Sequence, residues 1–179
     1  MQAPAPFRKP LALVLCDIAG SYRLAAQEGD LVVSAVFREF FEQAGRLGRE
    51  HHCLMIKFMG DSFLAAFENI DDVVPFVIAV EGLLSQNSVF VGRSLGFKFS
   101  LHYGNVLYIE TSYGSEVLGD AVDLAAHLNE LAQPHEMVVS QAALERMPSE
   151  YRGRAGASES HQLKRGGDVE FRRLNLLGP

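Results

Sequence analysis

Cysteine is scarce in this chain of 179 residues: there are two, Cys16 and Cys53, each inside an apolar run and neither in a zinc-like spacing. A disulfide framework is therefore not expected, and small core thiols in a reducing compartment are, which makes the expected location cytoplasmic. Long basic runs are missing too, and the net charge is −6. No nucleic-acid partner is expected, because that binding rests on Lys and Arg neutralising phosphates. No apolar stretch approaches membrane-spanning length, and "LALVLC" stops at Asp17, too short for a signal-peptide core. No membrane partner is expected, and neither an internal repeat nor a domain linker is visible.

What is present is a 48% apolar, 21% charged composition, enough to bury one core without staples. Residues 1–10, "MQAPAPFRKP" with three prolines, read as a flexible tail, and residues 11–179 as one domain. Residues 11–18 read as a buried strand. From Asp30, Val33, Val36, Phe37, Phe40, Ala44 and Leu47 recur with helical spacing to about His51. "CLMIKFMGDSFLAAF" is two apolar runs about Gly60-Asp61, a hairpin signal. A helix over about 70–86 follows, then a strand in "FKFSLHYGNVLYIE" broken or bulged at Gly104. "GDAVDLAAHLNELA" is helical, "EMVVS" a strand, "QAALERM" a short helix, "SEYRGRAGASES" a flexible loop and "VEFRRLNLL" a last strand. The order predicts an α+β or α/β sandwich, with helices on one face of a largely antiparallel sheet.

Asp17 raises the first chemical question, since a carboxylate at the exit of a buried strand is costly unless paired. The long helix between the first strand and the hairpin would lay the two side by side and bring Asp61 toward Asp17. Two close carboxylates repel unless a proton or cation sits between them, and a hard divalent ion, Mg²⁺ or Mn²⁺, is the cheapest solution. The "IAGSY" turn at Gly20 and Ser21 can aim backbone N–H groups at phosphates. Taken singly, each Asp reads first as a helix cap or a turn residue. Together with Lys57, four residues before Asp61, they point to a site.

"VLCDIAGSY", "IKFMGDSFLAAF", "LHYGNVLY", "EVLGDAVDLAAHLNELA" and "EMVVS" occur in the order in which their counterparts occur in class III adenylate/guanylate cyclase catalytic domains. The chain resembles that family over roughly residues 11–177. The resemblance implies a ferredoxin-like α/β domain that dimerises, as a homodimer or with another cyclase-like chain. It also implies two metal ions held by Asp17, Asp61 and the Ile18 carbonyl, and in-line attack of a ribose 3′-hydroxyl on the α-phosphate of a nucleoside triphosphate. Lys57 and Glu116 fall on its base-reading positions; a donor beside an acceptor favours ATP over GTP. Lys164 matches a triphosphate lysine, and reads equally well as a solvated loop residue.

The departures are as informative. Where the family places a ribose-orienting Asn and, one helical turn later, a transition-state Arg, this chain has Asp123 and His127. Asp123 adds negative charge beside a polyanion, and His127 lacks the fixed fork of donors that Arg presents. An i, i+4 pairing of Asp123 with His127 would favour the charged imidazole, although such a pair is more often an ordinary feature of a helix surface. Tyr22 replaces a usual Thr and would crowd the phosphate turn, and the segment from His102 to Gly119 is short for the family's dimerisation arm. "KRGGDVEF" superficially matches a diguanylate cyclase signature but leads only into a final strand, so it reads as a Gly-Gly turn. Three functions stay open at this stage: a slow adenylate cyclase, an inactive cyclase-like regulatory module that binds nucleotide or protein, and a scaffold binding neither metal nor nucleotide.

Overall fold

In the computed structural model, which describes residues 6–163 and 167–177, the chain builds one mixed sheet flanked by helices. The first half runs β1 (Phe7–Ala19), α1 (Ser21–Glu28), α2 (Asp30–Glu50), β2 (Met55–Met59), β3 (Ser62–Phe67), a 3-10 turn (Ile70–Asp72), α3 (Val73–Gln86) and β4 (Gly96–Thr111). Then follow β5 (Gly114–Leu118), α4 (Asp120–Leu131), β6 (Glu136–Ser140), α5 (Gln141–Leu144), α6 (Ser149–Arg152), β7 (Glu159–Gln162) and β8 (Asp168–Asn175). The strand order is β2-β3-β1-β4-β6-β8-β7, with β5 paired to the far end of β4. Only β4 and β6 run parallel among the pairings; the rest are antiparallel. The first four strands thus keep the ferredoxin-like order, with β1 at the centre.

Alternation along β1 decides which side each helix covers. Ala12, Val14, Cys16 and Ile18 face one side, where Phe40 and Ala44 of α2 and Phe76, Val77 and Val80 of α3 close over them. Leu11 and Leu13 face the other, against Ala121 and Ala125 of α4. Helices therefore cover both faces of the sheet, not the single face that the order of elements suggested. On the first face, Phe40 stacks on Phe63 and Phe97 with centroids 5.6 and 5.2 Å apart, which joins α2 to both neighbours of β1.

Several boundaries differ from the sequence reading. β1 begins at Phe7, so residues 7–10 belong to the sheet and pair with Tyr108 through Asn105. Gly104 neither breaks nor bulges β4: the ladder with β1 keeps one register from Phe7↔Tyr108 to Ala19↔Gly96. Its glycine answers a packing need instead, because a Cβ there would lie 2.8 Å from His102 Nε2 and 2.9 Å from Ala121 Cβ. The 149–160 stretch read as a loop holds α6 and the start of β7. Beyond Gly104, β4 continues into an arm with β5, and Tyr113 at its tip is fully exposed.

Cys16 is buried and Cys53 half-buried, both as free thiols. Burial pushes Cys53 up to about 11 and Cys16 well above the ordinary thiol value, so neither is a thiolate at neutral pH. His102 is buried beside Gly104, with Nδ1 2.9 Å from Ser140 Oγ; that same hydroxyl accepts from Ala143 N–H and caps α5. Burial alone lowers its pKa from 6.5 to about 4.

Gly104→Ala is expected to lower unfolding free energy by about 1–3 kcal/mol, since neither the strand nor α4 can yield freely; urea unfolding at pH 7 measures it. His102 makes stability fall with acid. An unfolded chain binds its proton below 6.5, whereas the folded chain stays neutral until about 4, so stability drops through that window. The full loss is roughly 3 kcal/mol. Urea midpoints followed from pH 7 to 4 should fall in the wild type and fall less in His102→Gln.

Candidate active site

The period of two that buries Leu11 and Leu13 also delivers Asp17 to the α4 face, at the end of β1. Across the ladder Asp17 lies opposite Ser62, and Ile18 N–H donates to the Asp61 carbonyl at 3.1 Å. The β2–β3 turn, with Gly60 at φ +63°, holds Asp61 there. In a strand the N–H and C=O of one residue leave on the same side, so the Ile18 carbonyl also points to the hairpin end of the ladder.

Gly20 turns the chain from β1 into α1 at φ +94°, and a Cβ in its place would come 2.5 Å from the Ser94 carbonyl oxygen. That turn brings Ser21 Oγ to 2.5 Å from Asp61 Oδ2, to which it donates. Asp17, Ile18, Gly20, Ser21 and Asp61 are thus gathered at one sheet end, as the sequence suggested. Tyr22, expected to crowd the turn, is 88% exposed.

Lys98 joins this cluster unannounced. The β1–β4 register sets it opposite Asp17, with Nζ 3.1 Å from Asp17 Oδ2. Nothing in the local pattern of "GFKFS" marks it, because the pairing exists only once β4 lies beside β1 in this register. Asn129 of α4 fixes the place from behind, its Nδ2 donating to the Leu15 carbonyl at 3.2 Å and the Lys98 carbonyl at 3.1 Å.

On the same face, Lys57 of β2 and Glu116 of β5 meet: Nζ lies 2.7 and 2.8 Å from the two carboxylate oxygens. The two are 59 residues apart in sequence, so the strand arrangement creates the pair. Both are more than a third exposed, which limits the contribution of this contact to stability. Asp123 and His127 sit apart from it on α4, lining a cleft of about 310 Å³ with Asp120, Leu124 and Leu163. His127 Nδ1 is 3.9 Å from Glu130 Oε2, one helical turn on. Lys164 lies outside the described residues.

The donor set suits a hard divalent ion. Asp17 and Asp61 each engage one oxygen, Oδ2, and among the described residues the Oδ1 of each makes no hydrogen bond. Also among the described residues, no group of three or more His, Cys, Asp or Glu could hold a metal by itself. Two carboxylates and a carbonyl match the habit of Mg²⁺, which completes its shell with water and substrate phosphate.

A sheet of this topology, with two acidic residues at the β1 end beside a glycine turn, defines a nucleotidyl-cyclase-like domain. Residues 7–172 match the model of the adenylate and guanylate cyclase catalytic domain, and the chain belongs to that family. Class III cyclases are in general dependent on divalent metal. Solved structures of the same fold include the catalytic core of a rhodopsin–guanylyl cyclase with converted specificity, in complex with ATPαS; its TM-score is 0.81 at 13% identity, over 96% of this chain and 98% of that one. The adenylyl cyclase CyaB from P. aeruginosa matches at TM-score 0.74 and 14% identity, over 96% and 97%. A Trypanosoma brucei adenylate cyclase in its monomeric state matches at 0.79 and 18%, over 93% and 90%. No curated protein sequence matches the chain. No described helix is long and apolar enough to cross a membrane.

Proposed function

We propose that the protein is a slow, divalent-metal-dependent nucleotidyl cyclase that converts ATP to cyclic AMP and pyrophosphate. The observation that carries this reading is that Asp17 and Asp61 stand at the same end of the β1–β3 ladder, where Ile18 N–H donates to the Asp61 carbonyl. Mg²⁺ or Mn²⁺ held there would supply Lewis acidity toward the attacking 3′-oxygen and the leaving phosphate oxygens. The Gly20–Ser21 turn offers backbone N–H groups at the first turn of α1, where the phosphate charge would lie. Lys57 can donate to adenine N1 while Glu116 accepts from the N6 amino group, and their mutual contact holds both ready for one base edge. That pairing favours ATP over GTP.

Turnover is limited by α4. His127 offers a cation only when protonated, and the carboxylate beside it is Glu130, one helical turn on. A missing fixed donor at the charge that develops on phosphate costs about two to three orders of magnitude in rate. The same cleft favours a second reading, an inactive regulatory module that works through nucleotide binding or contact with another cyclase-like chain. In a heterodimer, a partner carrying the Asn and Arg would complete a site that this chain equips with carboxylates and base-reading residues.

Purified protein given ATP and Mn²⁺ is expected to yield cyclic AMP slowly, and Asp17→Ala or Asp61→Ala to abolish it. The Asp123→Asn, His127→Arg double variant is expected to raise the rate about 10²- to 10³-fold. Metal-dependent binding of a non-hydrolysable ATP analogue without any product, in both the wild type and the double variant, would select the regulatory reading. Absence of both product and nucleotide binding would refute the assignment.

A further inference from the structure

We propose that Lys98 is the standing counter-ion of the Asp17 and Asp61 pair, and that a divalent cation binds by displacing its ammonium from Asp17. The displacement rests on the metal-site reading given above; the counter-ion role rests on the contacts alone. Two carboxylates brought to one sheet end are better tolerated with a cation beside them. Asp61 receives a neutral hydroxyl from Ser21, which satisfies an oxygen but cancels no charge. Lys98 is the one cation among the described residues that contacts this pair, at 3.1 Å from Asp17 Oδ2.

Its position is built, not accidental. Register places Lys98 directly across from Asp17, and the two side chains are 22% and 31% exposed, so solvent and salt screen them only in part. Asn129 pins the Lys98 backbone through its carbonyl, which leaves the four-carbon stem as the moving part. A lysine suits such exchange. Its ammonium is a compact point charge on rotatable bonds, without the bidentate fork that would make an arginine–carboxylate pair hard to open. An incoming ion therefore competes with an internal cation for the same carboxylate, and the apparent metal affinity is set below the intrinsic affinity of the acidic pair.

Mn²⁺ binding is measured by the electron paramagnetic resonance of free Mn²⁺, on the whole chain without nucleotide. Lys98→Gln is expected to bind Mn²⁺ about tenfold more tightly than the wild type. Lys98→Arg should bind no tighter than the wild type, and Asp17→Asn should remove the difference. Metal-free urea unfolding supplies an independent reading through a double-mutant cycle. Lys98→Gln should destabilise the wild-type background, by about fivefold or more in the unfolding equilibrium, and have little effect beside Asp17→Asn. Unchanged or weaker Mn²⁺ binding in Lys98→Gln overturns the displacement, and a cycle without coupling overturns the counter-ion role. If no form binds Mn²⁺ while the cycle shows coupling, the metal reading falls and takes displacement with it, but the pairing stands.

Discussion

The placing of two carboxylates, Asp17 and Asp61, at one end of a buried ladder is the feature around which the candidate site is arranged. Asp17 and Asp61 are 44 positions apart in the chain and come to the same end of the sheet because β1 pairs with β3 in a single register. Asp61 receives a hydrogen bond from Ser21 on the α1 turn, and Asp17 a cation, Lys98, from β4. Each of these contacts depends on a backbone feature. Gly20 makes the turn at a positive φ, and the unbroken β1–β4 ladder sets Lys98 opposite Asp17.

The two faces of the sheet divide the work. One carries the aromatic core of Phe40, Phe63, Phe76 and Phe97 against α2 and α3, and supplies most of the burial. The other carries Asp17, Lys57 and Lys98 beside a smaller apolar patch against α4. α4 holds Asn129, which fixes the Lys98 backbone, and also Asp123 and His127, which line the cleft. Ala121 packs over Gly104, which lets α4 lie close to β4.

Much of this was legible along the chain. Helical spacing from Val33 to Leu47, the Gly60-Asp61 turn and the apolar run before Asp17 are local signals, and α2, the β2–β3 hairpin and the core of β1 follow them. The gathering of Asp17, Ile18, Gly20, Ser21 and Asp61 could be anticipated from connectivity. Lys98 could not, since cross-strand pairing is a property of register and leaves no mark in the sequence near it. Gly104 misled for a related reason: a glycine in a strand signals either a bulge or a close neighbour, and only the position of α4 shows which. Pro10 lies in a proline-bearing start that reads as loose chain, yet the strand begins at Phe7 because its partner on β4 extends that far.

The account stands on Asp17 and Asp61 sharing a cation. Crystals soaked in Mn²⁺ with a non-hydrolysable ATP analogue, with anomalous differences collected at the manganese edge, test this most directly. The expected result is a peak bridged by oxygens of both Asp17 and Asp61, at roughly 2.0–2.6 Å as hard divalent ions require, with Lys98 Nζ moved off Asp17. A manganese peak elsewhere, or none at an occupied nucleotide, with the Lys98 to Asp17 contact intact, would contradict it.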